Sequence, residues 1–99
     1  MKLRVLSVAE REFADAVDYY NHQRAGLGSE FTAEVSATFE RIQQFPSACA
    51  PFSATTRRCR VHRFPYGVLY YVEHDEIVVV AIMHLARDPR RWQDRIDHL

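Results

Sequence analysis

The run Ile77 to Met83, IVVVAIM, constrains the fold more than any other stretch of the chain. It contains no polar residue, so neither side of an extended segment here can face water, and strands covered on both faces show this unbroken pattern. The run is far shorter than the about 20 apolar residues a helix needs to cross a bilayer. It is therefore expected to be a buried central strand in a soluble protein, with a layer of structure on each side of its sheet. The remaining residues must supply neighbouring strands and two covers. A length of 99 residues suits one compact domain spanning 1–99 and is short for two cores. With 47% hydrophobic and 12% aromatic residues, the chain has enough apolar surface to exclude disorder.

The first half reads as a cover. Met1 to Leu6 alternates weakly, Leu3 and Val5 against Lys2 and Arg4, which suits a short opening strand. Ser7-Val8-Ala9-Glu10 matches a capping box, so a helix is expected to start there. Ala9, Phe13, Ala16, Val17 and Tyr20 then form one apolar stripe, with Glu12, Asp15 and Asp18 mostly on the opposite side. Gly26-Leu27-Gly28 breaks this helix and Ser29 is expected to cap the next, whose stripe is Phe31, Val35, Phe39 and Ile42. Pro46 disfavours helix at Phe45. The short linker makes the pair an antiparallel hairpin, and Pro46 to Thr56 reads as a loop.

The second half reads as the sheet. Arg57 to Phe64 is an alternating strand, Cys59 and Val61 on one side and Arg58, Arg60 and His62 on the other. Phe64-Pro65-Tyr66-Gly67 forms a turn, Val68 to Glu73 a further strand, and His74-Asp75-Glu76 a hairpin into Ile77 to His84. Asp88-Pro89 starts a short last helix with Trp92, Ile96 and Leu99 on one side. The fold class is thus α+β in the order β-α-α-β-β-β-α: a small, mainly antiparallel sheet backed by a helical hairpin, with a short C-terminal helix.

Charge and cysteine usage narrow the function. The net charge is +0, which excludes a surface devoted as a whole to nucleic acid, since phosphate affinity comes from excess Lys and Arg. The distribution is uneven: Lys2 is the only lysine, and Arg57, Arg58, Arg60, Arg63, Arg87, Arg90, Arg91 and Arg95 all lie in the second half. Cys49 and Cys59 form no CxxC, have no evident activating partner and read as small packing residues. Nothing at the N-terminus resembles a signal peptide, so a reduced cytoplasmic location without membrane association is expected. His22, His62, His74, His84 and His98 show no metal-ligand spacing, and Gly26-x-Gly28 follows a helix and lacks a third glycine, so neither a metal nor a cofactor is expected.

Two readings of the arginines stay open. Arg58 and Arg60 point the same way from one strand, with Arg63 and Arg87 near strand ends, and guanidinium forks suit phosphate oxygens. The same residues also suit a solvated face paired to the acidic helices. His84 ends the buried strand three residues before Arg87; it is either an acid/base group beside a cation or a residue whose ring nitrogens hold the following loop. Tyr66, Tyr70 and Tyr71 can stack a base or pack across strands, and Trp92 suits a hydrophobic anchor for the last helix.

With these residues in order, the chain resembles the RelE/ParE superfamily of type II toxin-antitoxin toxins, also known as plasmid stabilisation proteins. The resemblance rests on four pieces: Tyr19-Tyr20, Gly26 to Phe31, Arg63-Phe64-Pro65-Tyr66, and Ile77 to Ala81 running into His84-x-x-Arg87-Asp88-Pro89-x-x-Trp92. It implies a growth-inhibiting toxin neutralised by a cognate antitoxin, in a possible toxin-antitoxin hetero-oligomer. RelE-like members are ribosome-dependent mRNA interferases, and on that branch Arg63, His84 and Arg87 would be the catalytic residues. ParE-like members poison DNA gyrase without a nuclease set. The net charge of +0, the single lysine and the lack of any Tyr after Tyr71 resemble the ParE-like branch more. Binding residues on that reading would be Arg58, Arg60, Tyr70 and Trp92, with DNA gyrase as target; the translating ribosome and its mRNA are the alternative.

Overall fold

The computed structural model describes residues 1–99 as three helices against one five-stranded sheet. Chain order is β1 (Lys2–Val5), α1 (Ser7–Gln23), α2 (Leu27–Gln44), β2 (Ala50–Pro51), β3 (Arg57–Arg60), β4 (Tyr66–Glu73), β5 (Glu76–His84) and α3 (Arg90–Asp97). Strands are arranged β1-β5-β4-β3-β2, with β1 parallel to β5 and every other pair antiparallel. The expected order β-α-α-β-β-β-α is present, with β2 added inside the segment read as loop. No helix is long and apolar enough to cross a membrane.

The all-apolar run behaves as its composition demands. From Ile77 to Met83 every residue of β5 is at most 2% exposed, because both faces of the strand are covered. On one face Ile77, Val79 and Ile82 pack with Val68 and Tyr70 beneath the α1/α2 hairpin, which contributes Ala9, Ala16, Tyr20, Phe31, Val35 and Ile42. On the other, Val78, Val80, Ala81 and Met83 pack with Leu69 against Trp92 and Ile96 of α3. At eight residues, α3 is too short to be helical by itself; burial of Trp92 and Ile96, about 2 kcal/mol for each side chain, holds it in place.

Alternation along β5 switches phase once. Leu69 pairs with Ala81 but Tyr70 pairs with Val79, so Val80 is an extra residue, a β-bulge. Val80 and Ala81 consequently face the same side. The ladder next to the bulge is completed by side chains: the Val80 carbonyl accepts from Arg95 Nη1 at 2.9 Å, and the Ile82 N–H donates to Glu12 Oε1 at 3.1 Å.

Several local expectations are corrected. Ser7 and Glu10 form no capping box. The Leu6 N–H is already bonded to the Val79 carbonyl, so Leu6 stands at the N-cap and Ser7 falls inside the helix. Ser29 does not cap α2, which starts at Leu27: Gly26 takes the left-handed turn (φ 87) and Asn21 Oδ1, from α1, accepts from the Gly28 N–H at 2.8 Å. A methyl group on Gly28 would sit 2.6 Å from the Asn21 amide, so glycine is required for that approach. The strand expected from Arg57 to Phe64 stops at Arg60, because Arg63 turns left-handed (φ 71) and Pro65 has no N–H for a ladder; β4 resumes at Tyr66. Leu99 lies past the end of α3 and is 53% exposed, so it does not join Trp92 and Ile96.

Candidate functional site

Pairing of β4 with β5 sets Tyr66 opposite His84, their rings edge to face with centroids 5.0 Å apart. Around them a cleft of about 560 Å³ opens between α1 and the segment leading into α3. Tyr19, Tyr66, His84, Arg87, Arg91 and Trp92 line it, with Glu12 and Asp15 supplying carboxylates. Tyr19 is 57% exposed, a large aromatic surface at the cleft. Burial raises the Tyr66 hydroxyl above its ordinary pKa, with the Arg87 charge working in the opposite direction, so it stays protonated near neutrality.

The ring of His84 holds the loop after β5: its Nδ1 accepts the Ala86 N–H at 3.1 Å, which leaves Nε2 to carry the proton in the neutral ring. Arg87 is exposed, and its backbone N–H donates to the His84 carbonyl. Arg63 is not part of this cleft. Its guanidinium donates to Glu30 Oε1 at 2.7 Å and lies 3.8 Å from Glu34 Oε2, both on α2. The hydrogen bond from Arg63, joined by one from Arg24, holds the Glu30 carboxyl below the usual carboxylate range. His84 and Arg87 therefore come together and Arg63 is engaged elsewhere.

Arg58 and Arg60 share the α3 face of the sheet, opposite Leu69 and Gly67 in β4. The stem of Arg58 crosses Gly67 so closely that a β-carbon there would lie 2.9 Å from its Cγ and Cδ, and its guanidinium sits 5.5 Å from the Phe52 ring centre. Arg60 is exposed, and its carbonyl accepts from Arg41 Nη2 at 2.8 Å. The result is a cationic strip beside a shallow apolar floor that includes Phe52 and Tyr71.

Two residues named as binding candidates are placed in the interior. Tyr70 is 0% exposed, because β4 is an inner strand and this side chain lies on its helix-covered face. Its hydroxyl donates to the Pro46 carbonyl at 2.7 Å, and burial pushes its pKa upward. Trp92 is 2% exposed and donates from Nε1 to Glu12 Oε2 at 3.1 Å, so it is the anchor of α3. Glu12, read as mostly on the solvent side of its helix, is the residue missed by periodicity. It accepts from Trp92, Arg95 and the Ile82 N–H together, joining α1, β5 and α3. A carboxylate that close to the edge of an apolar stripe was the only available signal.

A five-stranded sheet with an all-apolar inner strand, a helical hairpin on one face and a short basic helix on the other makes a small three-layer α+β domain. A family model described as "ParE toxin of type II toxin-antitoxin system, parDE" matches residues 3–89, most of the chain. The chain belongs to that family: it is a ParE-type toxin, whose membership implies a cognate antitoxin. Among solved structures, one described as the chromosomal ParDE TA system from P. aeruginosa has the same fold, with TM-score 0.76 and 17% identity over 86% of this chain and 96% of that one. No curated protein matches in sequence.

Proposed function

We propose that this toxin inhibits growth by holding DNA gyrase, without cutting RNA, and that an antitoxin neutralises it by covering the cationic strip. The first part is supported by one observation above the rest: the three side chains a nuclease would use do not share a site. Arg63 is paired to Glu30 and Glu34, while one nitrogen of His84 is occupied by a backbone N–H. General acid/base catalysis needs its groups within hydrogen-bond reach of one reacting centre. A protein target needs only exposed complementary surface, which Tyr19, Arg60 and Arg87 offer. An antitoxin segment that folds on binding would lay acidic side chains over Arg58 and Arg60 and apolar ones on Phe52 and Tyr71.

The deciding experiment is a gyrase supercoiling assay with purified toxin, run beside primer extension on mRNA from induced cells. Loss of supercoiling, or trapped gyrase-cleaved DNA, with intact mRNA is the expected result. Normal supercoiling at excess toxin, with ribosome-dependent cuts that Arg63→Ala, His84→Ala and Arg87→Ala abolish, would reverse the assignment.

A further inference from the structure

We propose that Cys49 and Cys59 form an oxidation site, a dithiol that a low-molecular-weight disulfide converts reversibly to an intramolecular bridge between β2 and β3. The antiparallel register pairs Ala50 with Arg58 and Pro51 with Arg57. One further step, at the bend that precedes β2, sets Cys49 against Cys59, and the two thiols interact side chain to side chain. The Phe52 N–H bonds to the Thr56 carbonyl, so pairs two apart from it are hydrogen-bonded; Cys49/Cys59 falls on the alternate, non-hydrogen-bonded kind. Such pairs bring α-carbons to about 4.5 Å with side chains on the same face, within the span a disulfide bridges. Both residues belong to the hairpin-side core, so their side chains do lie on one face.

The backbone around Cys49 is tethered. Its carbonyl accepts from Arg57 Nη1 at 2.8 Å, and Tyr70 holds Pro46 three residues earlier. The two thiols differ in access. Cys49 is half-buried and can be reached by a small oxidant, whereas Cys59 is 8% exposed. Burial, and next the neighbouring Cys49, push the Cys59 thiol up to about 11, while the Arg41 guanidinium beside it works the other way. This fixes the order of events. The Cys49 thiolate attacks glutathione disulfide, the S–S bond breaks, and one glutathione leaves as thiolate and takes up the proton that Cys49 released. Cys59 then attacks the Cys49 sulfur of the mixed disulfide. The second glutathione leaves and takes the Cys59 proton, so two protein thiols are oxidised and one glutathione disulfide is reduced to two thiols. Once Cys49 carries glutathione its thiol is gone, so its interaction with the Cys59 thiol no longer adds to burial in holding that thiol up.

The test is equilibration of the full chain in glutathione redox buffers, read by alkylation, intact mass and thermal unfolding. Oxidised wild type should be a monomer lacking two hydrogens, unreactive to alkylation, with Tm raised on the order of 10 °C. Dithiothreitol should reverse all three changes. Cys59→Ser should instead stop at a glutathione adduct on Cys49, and Cys49→Ser should remain reduced. The bridge should also form at least about tenfold more readily in the folded protein than in urea, as a crosslink that stabilises the fold requires. The proposal fails if wild type keeps two alkylatable thiols, ends as the Cys49 adduct or as an interchain dimer, or bridges no better folded than unfolded.

Discussion

The Glu12 carboxylate shows how one side chain can carry a junction. It is partly buried, and its oxygens serve Trp92 Nε1, the Arg95 guanidinium and the Ile82 N–H at distances of 3.0 to 3.3 Å. Removing it leaves an indole donor, a cation and a backbone N–H without their partner at once. Glu12→Ala should therefore cost about 3 kcal/mol, the range for charged hydrogen bonds left unmade, and should loosen the Trp92 environment before the sheet melts. Chemical denaturation followed by Trp92 fluorescence checks this; a loss under about 1 kcal/mol would demote the junction to surface electrostatics. Tyr70 makes a second residue-scale case. Its folded pKa is raised above the ordinary 10.0, so its contribution to stability is complete below pH 10.0 and is lost as pH rises beyond it. Tyr70→Phe should cost about 1 kcal/mol at neutral pH through the lost bond to Pro46, and should soften the fall in stability above pH 10. A Tm-versus-pH series on both proteins measures the two effects together.

Among the elements, the β4–β5 hairpin and α3 stand at opposite ends of local self-sufficiency. The hairpin turns through His74 and Asp75, both left-handed at φ 50 and 59, as a two-residue primed turn requires. Neither is glycine, so the turn is held by the eight-pair ladder it joins and not by its own preference. Replacing the pair by Asn-Gly should stabilise the protein by about 1 kcal/mol, or roughly 5 °C in Tm. An unchanged Tm in differential scanning calorimetry would mean the turn carries no strain. Helix α3 shows the opposite dependence. It starts with Asp88 Oδ1 accepting the Arg90 N–H at 2.9 Å, yet its docking rests on Trp92, Ile96 and the distant Glu12.

Over the whole molecule, a net charge of +0 conceals opposed surfaces. Glu30 and Glu34 on α2 neutralise Arg63 on the hairpin side, while Arg58 and Arg60 stand on the other face without a carboxylate partner. An acidic antitoxin should therefore bind the α3 face. The pair Arg58→Glu/Arg60→Glu should slow association with the co-expressed antitoxin by tenfold or more at low salt, and flatten its salt dependence, as charge reversal does at an electrostatically steered interface. Arg63→Glu, already facing carboxylates, should alter association much less. Equal effects of the two changes in surface plasmon resonance would relocate the interface.

Periodicity is local, and what it encodes was legible in the sequence: the doubly covered strand Ile77 to Met83, the stripes of α1 and α2, Trp92 as an anchor, and a hairpin turn at His74-Asp75-Glu76, of which Glu76 proves to open β5. Of the candidate site, the approach of His84 to Arg87 followed from their spacing, and so did the shared direction of Arg58 and Arg60. Everything that depended on distant partners was decided by tertiary structure. Glu12 meets residues 70 to 83 positions away, and Arg63 meets Glu30 33 positions away. Asn21 displaces Ser29 as the cap of α2, and the bulge at Val80 re-aims half of β5. The physical reason is the same throughout. An apolar pattern states which side of an element must leave water, but a hydrogen bond or ion pair between distant residues forms only where packing brings its two ends together, and no local stretch of sequence contains both.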